Sequence, residues 1–228
     1  MPYLSPSKMW RVARPGSIPL SSWEPGTLSA VTKTGTGSGT IRVSGYPLDA
    51  YTVKLKVSTA GDPGTAKIRV ALDGTTFGQP MLVPDADGMP LIVAGEVVLT
   101  FTAGAAPSFA LNDEHSFTTG ASPEIVAAIE AAGQEADCYF RDVWALPLSA
   151  WDAAVERNVG LLACDLLTCN RGFAEADKFA ACRKTAEKWL TAVARGDIQP
   201  LVTEGPGGGF VFPTLIKTST KYATDWRT

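Results

Sequence analysis

The periodicity of the apolar residues changes once along this chain, near Gly120, and that change limits the folds it can adopt. Over residues 40–118 apolar and polar residues alternate in steps of two, as at Val53, Leu55 and Val57. Successive side chains of a strand point to opposite faces, so this alternation predicts half-buried strands. After Gly120, alanine, leucine and charged residues recur with the helical period. We therefore expect an α+β fold, with a β-module first and a helical domain second.

Turn residues separate the predicted strands. Residues 61–64 (GDPG) join the strand that contains Val53 to the strand that contains Ile68, and Asp73-Gly74 ends the second of these strands. Glycine, aspartate and proline favour such turns because of their backbone preferences. Short antiparallel strands at this spacing predict a small β-sandwich over residues 35–119.

Three stretches in the second half of the chain have an amphipathic helical pattern. The first begins with Ser122 as N-cap, and the second begins at residues 149–152, which resemble a capping box with Asp in place of Glu. The third runs over about residues 174–195 and ends at Gly196, a residue that suits a left-handed C-cap. Their apolar stripes need one another as partners, which predicts a bundle of three or four helices over residues 120–200.

Both ends of the chain lack a clear periodicity. Residues 1–34 contain several prolines, which predicts an extended N-terminal arm whose tryptophans dock on their own domain or on a neighbouring subunit. Residues 201–228 place glycines before an apolar tail, which we expect either to grip another subunit or to fold back on its own helices. The candidate partner-contact residues in these arms are Trp10, Trp23, Phe210, Phe212, Leu215, Ile216, Tyr222 and Trp226.

Composition, charge and hydropathy argue against several classes of protein. The chain has 228 residues and a net charge of -3, which does not suit a protein whose main task is to coat DNA or an anionic membrane. No stretch approaches the roughly 18 apolar residues that a membrane helix needs, and the first residues lack the apolar core of a signal peptide. We expect a soluble protein made in the cytoplasm.

Few residues are candidates for catalysis or metal binding. The cysteines form no CxxC pair, and we expect Cys138, Cys164, Cys169 and Cys182 to be buried reduced thiols. For the single histidine, His115, the alternation and two neighbouring carboxylates predict a solvated or edge position. We expect no catalytic residue, no metal site and no cofactor, and therefore a protein that is not an enzyme.

Two other stretches resemble ligand-binding loops but are expected to be turns. Residues 85–88 echo the start of a calcium loop, with Glu96 at its twelfth position, but apolar residues follow where ligands belong. Residues 35–40 are rich in glycine, but no Lys-Ser or Lys-Thr pair follows as in a phosphate-binding loop.

A basic stripe marks the third predicted helix. Lys184, Lys188 and Arg195 share one face, with Lys178 and Arg183 close by. A solvated helix face is the simplest interpretation, and contact with a partner protein or with DNA phosphates are the alternatives. Any contact with DNA would be transient, because a channel that lets DNA slide should not bind it tightly.

Several landmarks along the helical region occur in a recognisable order. Residues 137–140 (DCYF) end the first predicted helix, residues 146–148 (LPL) follow, and Trp189-Leu190 closes the third helix before Gly196. Over about residues 122–202 this order resembles phage head-completion proteins of the Mu gp36-like family, which are head-to-tail adaptors.

The β-module has a looser likeness of its own. Residues 35–37, 72–77 and 112–118 are similar to a module that recurs in phage structural proteins.

The link between the second and third predicted helices, residues 169–173, departs from the Mu gp36-like family. Members of that family are more polar or arginine-rich at this link.

The resemblance implies a structural virion protein of the neck, at the head–tail interface of a bacteriophage. About twelve copies would form a ring under the portal protein, extend the DNA channel used in genome packaging and ejection, and provide the platform for a tail-side connector, stopper or tail terminator protein. We expect the β-sandwich on the outside of that ring, since inside it would obstruct DNA. The alternative function is a virion decoration or tail-associated binding module that recognises a glycan or receptor through its sandwich.

Overall fold

The α+β fold is confirmed in the computed structural model, which describes residues 2–13, 22–85, 89–91, 95–169 and 176–205. The helices are α1 (Pro6–Ala13), α2 (Pro123–Phe140), α3 (Ala153–Thr168) and α4 (Ala176–Ala194). The strands are β1 (Thr32–Thr34), β2 (Thr40–Pro47), β3 (Tyr51–Thr59), β4 (Lys67–Ala71), β5 (Met81–Leu82), β6 (Met89–Leu91), β7 (Gly95–Thr102), β8 (Glu114–Thr119), β9 (Leu148–Trp151) and β10 (Val202–Glu204).

The predicted β-sandwich is formed by two antiparallel sheets. One has five strands in the order β1-β8-β3-β4-β5, and the other has three in the order β2-β7-β6. Val53, Leu55 and Val57 of β3 are buried, as the alternation predicts. They share one apolar cluster with Val97 and Leu99 of β7, so the two sheets enclose a common core.

The helical domain has the three predicted helices, with one change in where a helix begins. Ser122 occupies the N-cap position of α2, but its side chain makes no capping hydrogen bond. The cap of α3 is Asp152, whose carboxylate accepts hydrogen bonds from the N–H groups of Ala154 and Val155 at 3.0 and 3.1 Å. The expected capping box at residues 149–152 is therefore wrong, because residues 149–151 belong to β9, which pairs with β10.

Gly196 ends α4 in the predicted left-handed conformation, with a φ of 79°. Its N–H donates to Val193 O at 2.9 Å, and the N–H of Asp197 donates to Ala192 O at 2.9 Å. These bonds satisfy carbonyls that the end of the helix leaves open, and they turn the chain toward β10.

The N-terminal segment differs from the extended arm that its prolines suggest, because residues 6–13 form α1. Pro6 is the first helical residue, where a missing N–H costs nothing, and Ser5 O accepts a hydrogen bond from the N–H of Met9 at 2.9 Å. Eight residues are too few to show a helical period clearly. Leu4 and Met9 are buried in the helical core, so this segment belongs to the helical domain.

The sandwich and the helices meet through apolar contacts. Leu48, which follows β2, is buried in the same cluster as the helices, and Tyr46 packs against that cluster. Thr27 and Gly120 exchange two backbone hydrogen bonds of 3.1 and 2.9 Å beside this contact. None of the described helices has the length and apolar character to span a membrane.

Candidate interaction surfaces

The basic stripe lies on an exposed face of α4, as its spacing predicts. Lys184, Lys188 and Arg195 are exposed, and none of them forms an ion pair with a described residue. They line a shallow groove of about 450 Å³, which we call the α4 groove. Glu187 and Asp197 also line it, so the surface carries both signs of charge.

Arg183, next to the stripe in sequence, connects three helices. Its Nη2 donates to Glu135 Oε1 on α2 at 2.6 Å, its Nη1 to Asp165 Oδ2 on α3 at 3.3 Å, and its Nε to Glu187 Oε1 at 2.8 Å. Burial by itself lowers the pKa of Arg183, but the hydrogen bonds and charges of Glu135 and Glu187 raise it above its ordinary value. This side chain therefore holds the helices together, and it also positions Glu187 at the wall of the α4 groove.

An apolar pocket lies between the loop after α2 and the segment after α4. It has a volume of about 270 Å³, and we call it the C-terminal pocket. Its lining comprises Val143, Trp144, Val193, Gly196, Ile198, Gln199, Pro200, Leu201 and Val202. Sequence reasoning missed this pocket, for which the only signal is a pair of apolar residues, Ile198 and Leu201, beyond the C-cap of α4.

The candidate residues of the two arms fall into two groups. Trp10 is half-buried and packs against the helical core, and Trp23 is only 4% exposed within that core. Both tryptophans thus dock on their own domain, one of the two alternatives for the arm. Phe210, Phe212, Leu215, Ile216, Tyr222 and Trp226 lie outside the described residues.

His115 is buried, which corrects the expected solvated or edge position. It lies on β8, between Lys33 of β1 and Leu55 of β3. Its ring packs edge-on against the Phe109 ring, with 6.1 Å between the two ring centroids. Nε2 has no hydrogen-bond partner among the described groups. Burial, followed by the charge of Lys33, lowers the pKa of His115. The alternation and the two neighbouring carboxylates suggested solvent, but β8 lies between β1 and β3, and His115 packs against Phe109 of the sandwich core.

The glycine-rich residues 35–40 wrap a carboxylate of their own chain. Asp113 is buried, and its carboxylate accepts hydrogen bonds from the N–H groups of Thr36, Gly37 and Ala110 at 2.9, 3.1 and 2.9 Å. A Cβ on Gly37 would lie 2.2 Å from Asp113 Oδ2, so this close approach requires glycine. Burial raises the pKa of Asp113, but these N–H groups and the charge of Lys33 lower it overall.

The cysteines differ from the expectation that all four are buried. Cys164 is buried and Cys182 half-buried, whereas Cys138 and Cys169 are exposed, and all are free thiols. Burial raises the pKa of Cys164 to about 12, and the nearby Cys182 adds to that rise.

The described residues contain no group of three side chains that could hold a metal ion. The calcium-like stretch falls largely outside the description, since residues 86–88 are not part of it.

Residues 99–206 match the family model described as Bacteriophage Mu, Gp36. This match indicates a phage structural or morphogenesis protein, which suggests association with the virion. The matched segment contains α2, α3 and α4, together with β8, β9, β10 and part of β7. No curated protein and no solved structure matches the chain.

Proposed function

We propose that this protein is a head-to-tail adaptor that assembles into a ring under the portal protein. The ring extends the DNA channel and provides the platform for a tail-side connector, stopper or tail terminator protein. The observation that carries the proposal is the match of residues 99–206 to the phage family model, because this segment includes the three long helices and both candidate interaction surfaces.

The surfaces of the helical domain support a role in assembly. A ring closes through heterologous contacts, so each subunit needs two different patches that complement each other. The α4 groove is charged, and the C-terminal pocket is apolar with Leu201 81% exposed at its rim. Because a charged groove does not complement an apolar pocket, each of these surfaces would meet a different patch on a neighbouring protein.

The charge of the α4 groove also suits a channel through which DNA must move. Lys184, Lys188 and Arg195 attract phosphates, but Glu187 and Asp197 line the same groove. Each neutralised phosphate adds salt-dependent affinity, so carboxylates among the cations keep any contact with DNA weak. In the proposed ring, a transient contact with the genome is compatible with sliding.

Native mass spectrometry of the purified protein, alone and mixed with the portal protein of the same phage, tests the proposal. We expect a complex that contains a ring of about a dozen copies. A matched chain that ends at Gly205 keeps every described element and removes only residues 206–228. If that chain loses the ring, the tail provides the contact with the portal or the neighbouring subunit.

A protein that stays a monomer or trimer and never joins the portal contradicts the adaptor function. That result would favour the alternative function, a virion decoration or tail-associated binding module. In that case a glycan-binding assay on the same protein would examine the sandwich.

A further inference from the structure

The C-terminal pocket leaves apolar side chains uncovered in the described part of the chain. Leu201 is 81% exposed and Ile198 is 38% exposed, and both line the pocket. Val143 and Trp144, which follow α2, also line the pocket. A concave apolar surface of this kind is stabilised when another apolar group covers it.

The described chain ends directly beside this pocket. Val202 lines the pocket and begins β10, and the backbone reaches Gly205 three residues later. There the N–H of Gly205 donates to Pro147 O at 2.8 Å, which holds the end of the described chain against the loop before β9. The sequence continues with a proline and three glycines, and then with Phe210, Val211 and Phe212.

Chain length allows these aromatic residues to return to the pocket. The eight residues from Val202 to Phe210 can span up to about 28 Å, since an extended chain covers about 3.5 Å per residue. A linker this short keeps its attached segment at an effective concentration of about a millimolar near the pocket. The chain's own tail therefore outcompetes the tail of a second copy at ordinary protein concentrations.

We propose that the occupant of the C-terminal pocket is the chain's own residues 206–228, which dock through Phe210 and Phe212. The docked tail covers Leu201 and Ile198 and keeps its own aromatic side chains out of water. A partner that needs the tail must first draw it out of the pocket. This inference does not depend on the ring, because it concerns the single subunit.

Limited proteolysis of the full chain with chymotrypsin, followed by mass spectrometry of the products, tests the docking. The variant Leu201→Asp places a charge at the rim, on a side chain too exposed to be needed for folding. We expect cleavage after Phe210 to become about tenfold faster, because the rate follows the population of the undocked tail. Leu111→Asp is the matched control, since Leu111 is a 59% exposed leucine outside the pocket and its change should leave the rate unaltered.

A second measurement approaches the contact from the tail. Phe212→Ser should speed hydrogen exchange of the backbone amides around Ile198 and Leu201, whereas Tyr222→Ser, farther along the tail, should have a smaller effect. Equal cleavage rates in Leu201→Asp, Leu111→Asp and the unaltered chain would overturn the proposal. A cleavage rate that falls as protein concentration rises would overturn it too, because the occupant would then be the tail of a second copy.

Discussion

Asp113 and His115 are buried two residues apart, and the sandwich accommodates them in different ways. The Asp113 carboxylate keeps its charge because three backbone N–H groups surround it. The His115 ring packs edge-on against Phe109, and its Nε2 has no hydrogen-bond partner among the described groups. A charged imidazole is costly in such a place, so the neutral form is favoured.

The lowered pKa of His115 predicts that acid weakens the fold. In the unfolded chain a histidine takes up its proton near pH 6.5, whereas in the folded chain burial and Lys33 shift the pKa of His115 below that value. The free energy of unfolding should therefore fall as the pH drops below about 6.5, by at most about 1.4 kcal/mol per pH unit, until the folded pKa is passed. Urea unfolding at a series of pH values measures this slope.

The variant His115→Gln is the control for that slope, since it removes the single histidine of the chain. The slope between pH 5 and 7 should then be smaller by the share due to His115, whatever the variant does to stability at pH 7. Asp113 does not interfere, because its lowered pKa lies below this window. An unchanged slope in the variant would contradict the assignment.

The short helix α1 is held in place by contacts with the rest of the helical domain. α1 has only eight residues, and a helix of that length is unstable alone in water. Burial of Met9 and the 2.6 Å pair between Lys8 Nζ and Glu156 Oε1 fix it against α3. The helix therefore depends on tertiary contacts, which explains why the sequence pattern of this segment is weak.

Arg183 is expected to contribute more stability than its neighbour Lys184, although both are basic residues on α4. Removing Arg183 leaves Glu135 and Asp165 without their cation, whereas Lys184 has no ion pair with a described residue. The Arg183 side chain is 26% exposed, so solvent screens part of the effect, and we expect Arg183→Ala to cost about 1–2 kcal/mol. Lys184→Ala should stay within about 0.5 kcal/mol.

Chemical denaturation of both variants measures this difference. Equal losses for Arg183→Ala and Lys184→Ala would show that the network contributes nothing beyond an ordinary surface charge. Glu135→Gln offers a further check, since it keeps the size of the side chain but removes the charge that faces Arg183.

At the scale of the whole molecule, the last described strand closes the helical domain. β10 pairs with β9, and Glu204 Oε1 accepts a hydrogen bond from the N–H of Ala145 at 3.0 Å. The N–H of Leu201 donates to Asp152 Oδ2 at 3.1 Å, which connects this strand to the cap of α3. These bonds stabilise the chain beyond Pro200, the residue at which the sequence pattern suggested that the domain ends.

Two truncations separate the strand from the tail. A chain that ends at Pro200 loses β10 and should melt about 5 °C lower than the full chain, since it loses a hydrogen-bonded strand pair and the Glu204 contact. A chain that ends at Gly205 should melt much closer to the full chain. Thermal unfolding followed by circular dichroism compares them, and identical melting temperatures would mean that β10 contributes little.

Local sequence patterns were enough to predict the β-module before the helical domain, the sandwich, the three long helices and the position of the basic stripe. Those features follow from local periodicity and turn chemistry, which depend only on residues close together along the chain. The extended arm, the cap of α3 and the exposure of His115 were predicted differently from what the structure has. In each case a long-range contact decides: α1 docks on α3, β9 pairs with β10, and β8 lies between two other strands.

The C-terminal pocket and the Arg183 network also depend on tertiary structure alone. Their members lie far apart along the chain, as Trp144 is from Leu201 and Glu135 is from Arg183. A one-dimensional pattern records which side chains are apolar or charged, but it does not record which distant ones meet. The packing of the helices therefore decided where the described residues form the α4 groove and the C-terminal pocket.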